Sequence, residues 1–251
     1  LGIAVLTLVG WFAITAKRTP DKIPQNVLFI TVDTLRSDHL GCYGYKKIKT
    51  PNIDSLAEQG TMFKDAISQV PLTLPSHCSI FTSTYPQFNN IRDNGGYRLA
   101  QSAITLAERM QENGYATAAF VGAFVLDSKF GLDQGFETYD AKMPKKTADP
   151  IITQGYTERT ADKVTDAAVS WLRNKKNDKS FLWVHYYDPH TLYNPPSPYS
   201  ETYKDNLYDG EIAFTDEQIG VLLAVLKELK LDKETLIIFA SDHGEGLGEH
   251  E

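Results

Sequence analysis

The sequence has little cysteine, no run of basic residues and no internal repeat. Its two cysteines, Cys42 and Cys78, could form one disulfide in an oxidising compartment. Spacing alone does not establish a bridge, and two buried free thiols are the simpler interpretation. The 25 Lys and Arg residues are outnumbered by 32 Asp and Glu residues, which gives a formal net charge of −7. Because an acidic chain without a basic run is a poor electrostatic partner for nucleic acid, we expect no nucleic-acid ligand.

Length and composition are those of an ordinary globular protein. The chain has 251 residues, of which 42% are hydrophobic and 23% charged, enough for one large α/β domain or two small ones. If the substrate of so acidic a protein is itself an anion, a local positive charge must offset the global sign. Bound cations are the obvious candidates for that charge.

The N-terminal segment is apolar. Residues 1–16 carry no charge and are followed by a Lys-Arg pair. This stretch is shorter than the ~20 residues that span a bilayer, but a start lost upstream would supply the missing turn. We therefore interpret residues 1–18 as a truncated signal anchor, with a cleaved signal peptide or a buried core helix as alternatives, and residues 19–25 as a linker. An anchor predicts a membrane-attached protein whose catalytic domain, residues 26–251, lies outside the cytoplasm.

Strand-like and helix-like segments alternate along the rest of the chain. Apolar runs predict strands buried on both faces, and a periodicity of about 3.6 residues, with Pro and Gly near the ends, predicts helices. This alternation favours an α/β fold with a mostly parallel or mixed central sheet and helices on both faces. The predicted strands cover residues 26–33, 115–121, 181–185 and 235–240; the predicted helices cover residues 51–59, 75–81, 104–113, 157–174 and 219–226; residues 193–204 form a predicted loop.

Residues that can bind metal follow three of the predicted strands. Asp33 ends the first strand, His185 ends the strand from residue 181, and Asp242 and His243 follow the last strand. A single Asp at a strand end is often a helix cap, and a single His is often a hydrogen-bonded core residue. Because the carboxyl ends of parallel strands share one edge of a sheet, three such groups together favour a metal site. Oxygen and nitrogen donors without thiolates suit Zn²⁺, Mn²⁺, Ca²⁺ or Mg²⁺.

Thr73 is the candidate nucleophile. Pro75 fits the first turn of the helix predicted to continue through Phe81, so Thr73 is expected just before a helix N-terminus. Backbone N–H groups and the helix dipole favour an anion there. A metal ion bound to the hydroxyl oxygen would lower its pKa and activate it for attack. The alternative is that Thr73 only caps the helix, which is common for Thr.

The chain also resembles a known family through a series of motifs. Residues 26–45, NVLFITVDTLRSDHLGCYGY, resemble the opening strand and loop of the sulfatase family, within the alkaline phosphatase superfamily. Four shorter motifs follow in the order of that family. They are TPNID at residues 50–54, LPS at 74–76, DPH at 188–190 and SDHGE at 241–245.

The resemblance implies a mixed α/β sheet flanked by helices and assigns roles to individual residues. Asp33, Asp242 and His243 look like metal ligands, and Thr73 occupies the nucleophile position, which also contacts the metal. His190 is similar to a histidine that contacts the transferred group. Weaker candidates for a second metal or the pocket wall are His185 and Asp188. Family members continue past the last motif, so residues 26–251 resemble the N-terminal part of the catalytic domain.

Two departures from the sulfatase pattern bear on the chemistry. Sulfatases carry Cys or Ser, converted to formylglycine, in the motif Cys/Ser-X-Pro-Ser-Arg, whereas this chain has Thr73 and His77 at the first and last positions. The second acidic ligand that commonly follows Asp33 is Thr34 here. A Thr nucleophile resembles instead the nucleotide pyrophosphatase/phosphodiesterase and phosphotransferase branches, which use two Zn²⁺ or Mn²⁺ ions. In the former an Asn holds a phosphoryl oxygen, and Asn94, 21 positions after Thr73, falls where that Asn would be.

The sequence therefore predicts a hydrolase of sulfate or phosphate esters that depends on a divalent metal (Zn²⁺, Mn²⁺ or Ca²⁺). Thr73 would form a covalent intermediate, with Asn94 and His190 stabilising the transferred group. Its substrate would be an anionic ester of a glycan, a lipid or a small molecule. One alternative is a membrane-anchored transferase of phosphoethanolamine or phosphoglycerol. Another is a tethered domain without catalytic activity that binds anionic glycans.

Overall fold

The computed structural model describes residues 24–144 and 159–249. The predicted anchor (residues 1–18), most of the predicted linker and the first two residues of the helix predicted over 157–174 lie outside these ranges. Within the described ranges, every helix is too short or too polar to cross a bilayer.

A five-stranded sheet forms the centre of the fold. Along the sheet the strands run in the order β3-β2-β4-β1-β5, and every pairing between described strands is parallel. Fully parallel sheets have both faces covered, which explains the almost continuous apolar sequences of the interior strands β1 and β4. The strands are β1 (Asn26–Val32), β2 (Ala116–Val121), β3 (Thr138–Asp140), β4 (Ser180–Tyr186) and β5 (Thr235–Ser241).

Helices cover both faces of the sheet, as predicted. Successive residues of a strand point to opposite faces. Accordingly Leu28 and Ile30 of β1 pack in one core with three of the helices, while Phe29 packs in a second core with two others. The helices of the first core are α1 (Pro51–Gln59), α5 (Ala161–Lys175) and α7 (Leu207–Glu228); those of the second are α2 (Thr73–Thr82) and α4 (Leu106–Glu112).

Local sequence signals set the helix ends. Thr105 and Glu108 form a reciprocal capping box at the start of α4. Gly114 follows the end of this helix with φ +77°, a left-handed conformation that glycine adopts without strain. The cap at Thr105 leaves Ile104 outside the helix and about half exposed (53%), so the predicted helix began too early.

Short elements escaped the sequence prediction. Strand β3 and helix α3 (Pro86–Asn89) were not predicted, and the predicted loop over 193–204 contains a one-turn helix, α6 (Tyr199–Thr202). Elements of three or four residues are too short to show a periodicity, so tertiary contacts decide whether they form. Cys42 and Cys78 are both free thiols, and Cys78 is buried.

Candidate active site

The carboxyl ends of β1 and β5 bring the candidate ligands together. The two strands pair in parallel, with Val32 opposite Ser241. The next residues, Asp33 and Asp242, therefore leave the sheet side by side, and both are fully buried. His243 follows immediately. This is the edge at which open α/β sheets bind their ligands.

The Thr73 hydroxyl lies against these residues. Its Oγ1 is 3.2 and 3.4 Å from the two Asp33 carboxylate oxygens and 3.4 Å from His243 Nε2. Thr73 is the first residue of α2 and not the residue before it, because Leu72 is the N-cap. No side-chain capping bond forms at this helix start. The hydroxyl is therefore directed at the acidic residues and is not used as a cap.

A divalent cation fits the donor set of Asp33, Asp242 and His243. One ligand atom from each lies within 4.8 Å of the others. His243 Nε2 is 3.5 Å from Asp33 Oδ1 and 3.6 Å from Asp242 Oδ2. Its Nδ1 donates to the Gly244 carbonyl at 2.8 Å, which leaves the lone pair of a neutral ring on Nε2, facing the carboxylates.

The electrostatics of this group also favour a cation. Among the described residues, Asp242 Oδ2 is a buried oxygen without a hydrogen-bond partner. Burial, followed by the nearby Asp242 carboxylate, raises the pKa of Asp33 well above its usual value. Two buried carboxylates this close oppose one another's ionisation unless a positive charge lies between them. Asp33, Asp242 and a neutral His243 supply no positive charge themselves, so a bound cation would stabilise them.

Thr34 occupies the position at which sulfatases commonly carry a second acidic metal ligand. Its backbone N–H donates to Asp242 Oδ1 at 3.2 Å, and His243 N–H donates to the same oxygen at 2.8 Å. The Thr34 hydroxyl donates to the Pro189 carbonyl. Thr34 thus orients Asp242 through its backbone, while its side chain is used to hold the loop that carries Pro189.

A buried polar network lies beside Thr73. Thr31 Oγ1 is 3.0 Å from His185 Nδ1, 3.1 Å from His77 Nε2 and 2.9 Å from Trp183 Nε1. His77 Nδ1 lies 2.8 Å from the Thr73 carbonyl oxygen. Burial is the main cause that lowers the pKa of both histidines, most strongly for His185. From sequence, His77 stood out only as a departure from a motif, and Thr31 was not predicted to belong to the site, although strand alternation places Thr31 on the same face as Asp33.

A cavity of about 200 Å³ opens in front of Thr73. Asn94 Oδ1 accepts the Leu74 N–H at 2.9 Å, so the side chain is held at the start of α2 with its NH₂ group remaining as a donor. The cavity is lined by Thr73, Asn94, Gly122, Ala123, Phe124, Val125, Tyr187 and His190. Thr73, Asn94 and His190, the three residues predicted to be catalytic, therefore share one cavity.

Tyr187 and Glu211 position His190. The Tyr187 and His190 rings stack with centroids 4.4 Å apart, and Tyr187 OH lies 2.9 Å from His190 Nδ1. The His190 backbone N–H donates to the buried Glu211 carboxylate at 3.1 Å. The sequence analysis did not name Tyr187 or Glu211, because neither position belongs to a motif.

The weaker metal candidates have different surroundings. His185 Nε2 lies 3.7 Å from Asp33 Oδ2, next to the site. Neither His185 nor Asp188 belongs to the group of possible ligands found among the described residues, whose ligand atoms all lie within 4.8 Å of one another. Asp188 Oδ2 accepts the Ala161 N–H at 2.8 Å, at the start of α5, and burial raises the pKa of Asp188 to about 6. Asp188 thus acts as a cap of α5.

Comparisons with known proteins agree with this architecture. A family model described as Sulfatase matches residues 25–251. The chain is 27% identical over 306 aligned residues to iduronate 2-sulfatase of Mus musculus, covering 90% of this chain and 55% of that protein. It is 28% identical over 276 residues to the ulvan-active sulfatase of Formosa agariphila, covering 94% of this chain and 54% of that protein. The chain thus spans about half the length of these relatives.

A solved structure shares the fold. The crystal structure of the phosphonate monoester hydrolase of Agrobacterium radiobacter superposes with a TM-score of 0.75. The match covers 88% of this chain and 63% of that one, at 21% sequence identity. At this identity the likeness establishes the fold alone.

Proposed function

The chain belongs to the sulfatase family, and from this premise we propose that it carries the nucleophile and metal ligands of a hydrolase of sulfate or phosphate esters. The observation that carries the proposal is the position of the Thr73 hydroxyl, 3.2 Å from Asp33 and 3.4 Å from His243, at the N-terminus of α2. A hydroxyl held among metal-competent side chains, at a helix end that favours anions, suits attack on an anionic ester.

Asp33, Asp242 and His243 would hold a divalent cation (Zn²⁺, Mn²⁺ or Ca²⁺). When bound, the ion supplies positive charge that lowers the pKa of the nearby hydroxyl and offsets the charge of an anionic substrate. Without that charge, the acidic side chains around Thr73 would repel a sulfate or phosphate ester. The proposal therefore predicts that substrate binding depends on metal.

Thr73 is the proposed nucleophile. Its hydroxyl loses its proton to solvent as Oγ1 forms a bond to sulfur or phosphorus, the bond to the ester oxygen breaks in line, and the leaving alkoxide takes up a proton from solvent. The Asn94 NH₂ group and His190 would stabilise the equatorial oxygens. Water then attacks the covalent Thr73 ester, which returns the hydroxyl and releases sulfate or phosphate.

A threonine nucleophile favours phosphoester over sulfate-ester substrates. Thr73 stands where sulfatases carry the Cys or Ser that is converted to formylglycine. An unmodified hydroxyl nucleophile is instead typical of the phosphodiesterase and phosphotransferase branches that the sequence resembles. The relatives reported above are named as sulfatases, and the structural neighbour as a phosphonate monoester hydrolase. The test therefore includes both transferred groups, sulfate and phosphate.

The test compares turnover of nitrophenyl sulfate, nitrophenyl phosphate and bis-nitrophenyl phosphate by the full-length protein with added Zn²⁺, Mn²⁺ or Ca²⁺. Thr73→Ala is compared with Thr82→Ala, a threonine of the same helix whose hydroxyl donates to the Cys78 carbonyl. We expect phosphoester turnover that is lost in Thr73→Ala and kept in Thr82→Ala. Turnover that survives Thr73→Ala would contradict the assignment of the nucleophile, and turnover of the sulfate ester alone would contradict the preference for phosphoesters.

The apolar N-terminal sequence supports a further part of the proposal. Residues 1–16 carry no charge, which suits a membrane anchor or a secretion signal, with the catalytic domain outside the cytoplasm. Membrane fractionation of cells that express the full-length protein, followed by protease treatment of intact cells or spheroplasts, tests this location. Recovery of the protein in the cytosolic fraction would contradict it.

A further inference from the structure

Four buried side chains form a hydrogen-bond network whose proton positions can be assigned. Thr31 Oγ1 is the centre, within hydrogen-bond distance of Trp183 Nε1, His77 Nε2 and His185 Nδ1. His77 and His185 are both fully buried, a situation that disfavours the charged imidazolium. Each ring is therefore treated as neutral, with one N–H donor and one lone pair.

The assignment begins at His77. Its Nδ1 lies 2.8 Å from the Thr73 carbonyl oxygen and 3.6 Å from Asp242 Oδ2. The carbonyl oxygen can only accept a hydrogen bond, so the proton of the ring is on Nδ1. The lone pair is then on Nε2, which accepts the hydroxyl proton of Thr31.

The same reasoning fixes the tautomer of His185. The single Thr31 proton is used on His77, so Thr31 Oγ1 accepts from its two other neighbours, the Trp183 indole N–H and His185 Nδ1. The His185 proton is therefore on Nδ1, and its lone pair is on Nε2. Among the described residues this nitrogen has no hydrogen-bond partner, and it lies 3.7 Å from Asp33 Oδ2.

We propose that His185 is a further nitrogen ligand of the divalent metal centre, facing it through Nε2, and that Thr31 and His77 are positioning residues that hold its tautomer. The inference deepens the proposed function, because it concerns the same metal centre. A buried lone pair beside a carboxylate is unfavourable, and a cation near both would relieve it. His185 lies outside the group whose ligand atoms are all within 4.8 Å of one another, and it approaches that group through Asp33 Oδ2, 3.7 Å from its Nε2.

The arrangement of His185 matches that of His243. In both rings Nδ1 donates to a protein oxygen, Thr31 Oγ1 in one and the Gly244 carbonyl in the other. In both, Nε2 is left beside Asp33. Metal-binding histidines generally donate their second N–H in this way, which fixes the ring and its tautomer.

The first test reads the tautomers directly. Long-range ¹H–¹⁵N NMR of the full-length protein labelled at histidine, with metal removed, should show His185 protonated on Nδ1 and unprotonated on Nε2. Addition of Zn²⁺ should shift the Nε2 resonances of both His185 and His243. Protonation of His185 on Nε2, or an Nε2 resonance that Zn²⁺ leaves unchanged while that of His243 moves, would overturn the inference.

Variants supply the second readout, the Zn²⁺ dissociation constant measured with a competing chelator. His185→Gln should weaken Zn²⁺ binding at least about tenfold, and Thr31→Val, which removes only the hydroxyl that sets the tautomer, by about tenfold. His39→Gln is the matched control, a partly buried histidine bonded to Asp209 instead of the metal group, and should leave the constant unchanged. Full Zn²⁺ affinity in a folded His185→Gln protein would overturn the inference.

These outcomes are separate from those of the proposed reaction. Turnover that survives Thr73→Ala contradicts the nucleophile but leaves the tautomer and Zn²⁺ shift of His185 in place. An unshifted His185 in a protein that binds Zn²⁺ through His243 contradicts the ligand assignment and leaves the Thr73 chemistry in place.

Discussion

Two groups of similar side chains, each built around a buried aspartate, differ in how completely their polar atoms are paired. In the first, the Asp209 cluster (His39, Tyr45 and Asp209), one carboxylate oxygen lies 2.6 Å from His39 Nδ1. The other accepts the Tyr45 hydroxyl at 2.8 Å. In the second, the Thr73 cluster (Asp33, Thr73, Asp242 and His243), two carboxylates face each other and one buried oxygen is left without a partner among the described residues.

Residue type and burial therefore do not distinguish a site from a structural cluster. Both groups contain a buried aspartate, a histidine and a hydroxyl, and both lie at the ends of regular elements. The two clusters differ in whether every buried polar atom has a hydrogen-bond partner. An unpaired atom is informative because buried polar groups in folded proteins are almost always hydrogen-bonded. The Asp209 cluster is complete as it stands, whereas the Thr73 cluster leaves Asp242 Oδ2 unpaired among the described residues, and a bound cation would satisfy that oxygen.

The largest difference between the two clusters should appear in turnover. Removal of the nucleophile in Thr73→Ala should lower kcat by at least about 10³-fold, since loss of a nucleophile can remove nearly all of the chemical rate enhancement. Tyr45→Phe, which deletes the hydroxyl of the Asp209 cluster, should leave kcat within about twofold. Steady-state assays with the preferred nitrophenyl ester measure both. Equal losses in the two variants would mean that the comparison between the clusters is wrong.

Metal affinity should separate the clusters next. Asp242→Asn should weaken Zn²⁺ binding more than about 100-fold, because even partners of metal ligands contribute about 10- to 100-fold. In the metal-free protein this variant should keep or gain stability, since a neutral amide no longer opposes Asp33. Chelator competition and thermal unfolding in EDTA measure the two effects. An unchanged Zn²⁺ affinity would exclude Asp242 as a ligand.

Stability should depend on pH through Asp188, independently of metal. Burial raises its pKa from the ordinary 3.8 to about 6, so the folded state holds this proton when the unfolded chain has lost it. Stability is then greatest below the unfolded pKa and falls by about 3 kcal/mol as the pH rises through about 6. Urea unfolding at several pH values in EDTA, run side by side with Asp188→Asn, isolates this loss, because Zn²⁺ binding is itself dependent on pH and Asp33 contributes equally to both proteins. Asp188→Asn should flatten the profile, and a profile identical to that of the unmodified protein would contradict the prediction.

The smallest effect should come from the Asp209 cluster itself. Asp209→Ala leaves the Tyr45 hydroxyl and His39 without their shared acceptor, which should lower the free energy of unfolding by about 2 kcal/mol. Zn²⁺ affinity should stay the same. Asp205→Ala, an exposed aspartate just before α7, is the control and should change stability by less than about 0.5 kcal/mol. Loss of Zn²⁺ affinity in Asp209→Ala would show that this cluster belongs to the site.

Much of this arrangement could be predicted from sequence because its signals are local. The apolar runs of β1, β4 and β5 predicted strands of almost the observed length. Strands β1 and β4 are buried on both faces, which requires apolar residues at nearly every position, whereas the edge strand β5 leaves Leu236 and Ile238 exposed. Placement of Asp33, Asp242 and His243 at the ends of those strands then implied that they meet at one edge. The structure brings these three together with Thr73, as expected from a parallel sheet.

Other features depend on neighbours that the sequence does not specify. The contacts of Thr31 with His185 and His77 join residues 154 and 46 positions apart. Alternation fixed the face on which Thr31 lies, but its partners required the strand order, the register of β1 against β4 and the packing of α2 across them. Asp188 is similar. The motif made it a weaker candidate for a second metal or the pocket wall, and its contact with the Ala161 N–H depends on where α5 packs.

The sequence by itself determined the alternation of strands and helices, the edge at which polar residues gather and the presence there of the Thr73 hydroxyl, the proposed nucleophile. These properties follow from hydrophobic periodicity and from strand ends, which act over a few residues. The tertiary structure alone decided which buried polar atoms are paired and which are not. That distinction depends on distances of about 3 Å between groups from different elements, and such distances are set only when the elements pack together.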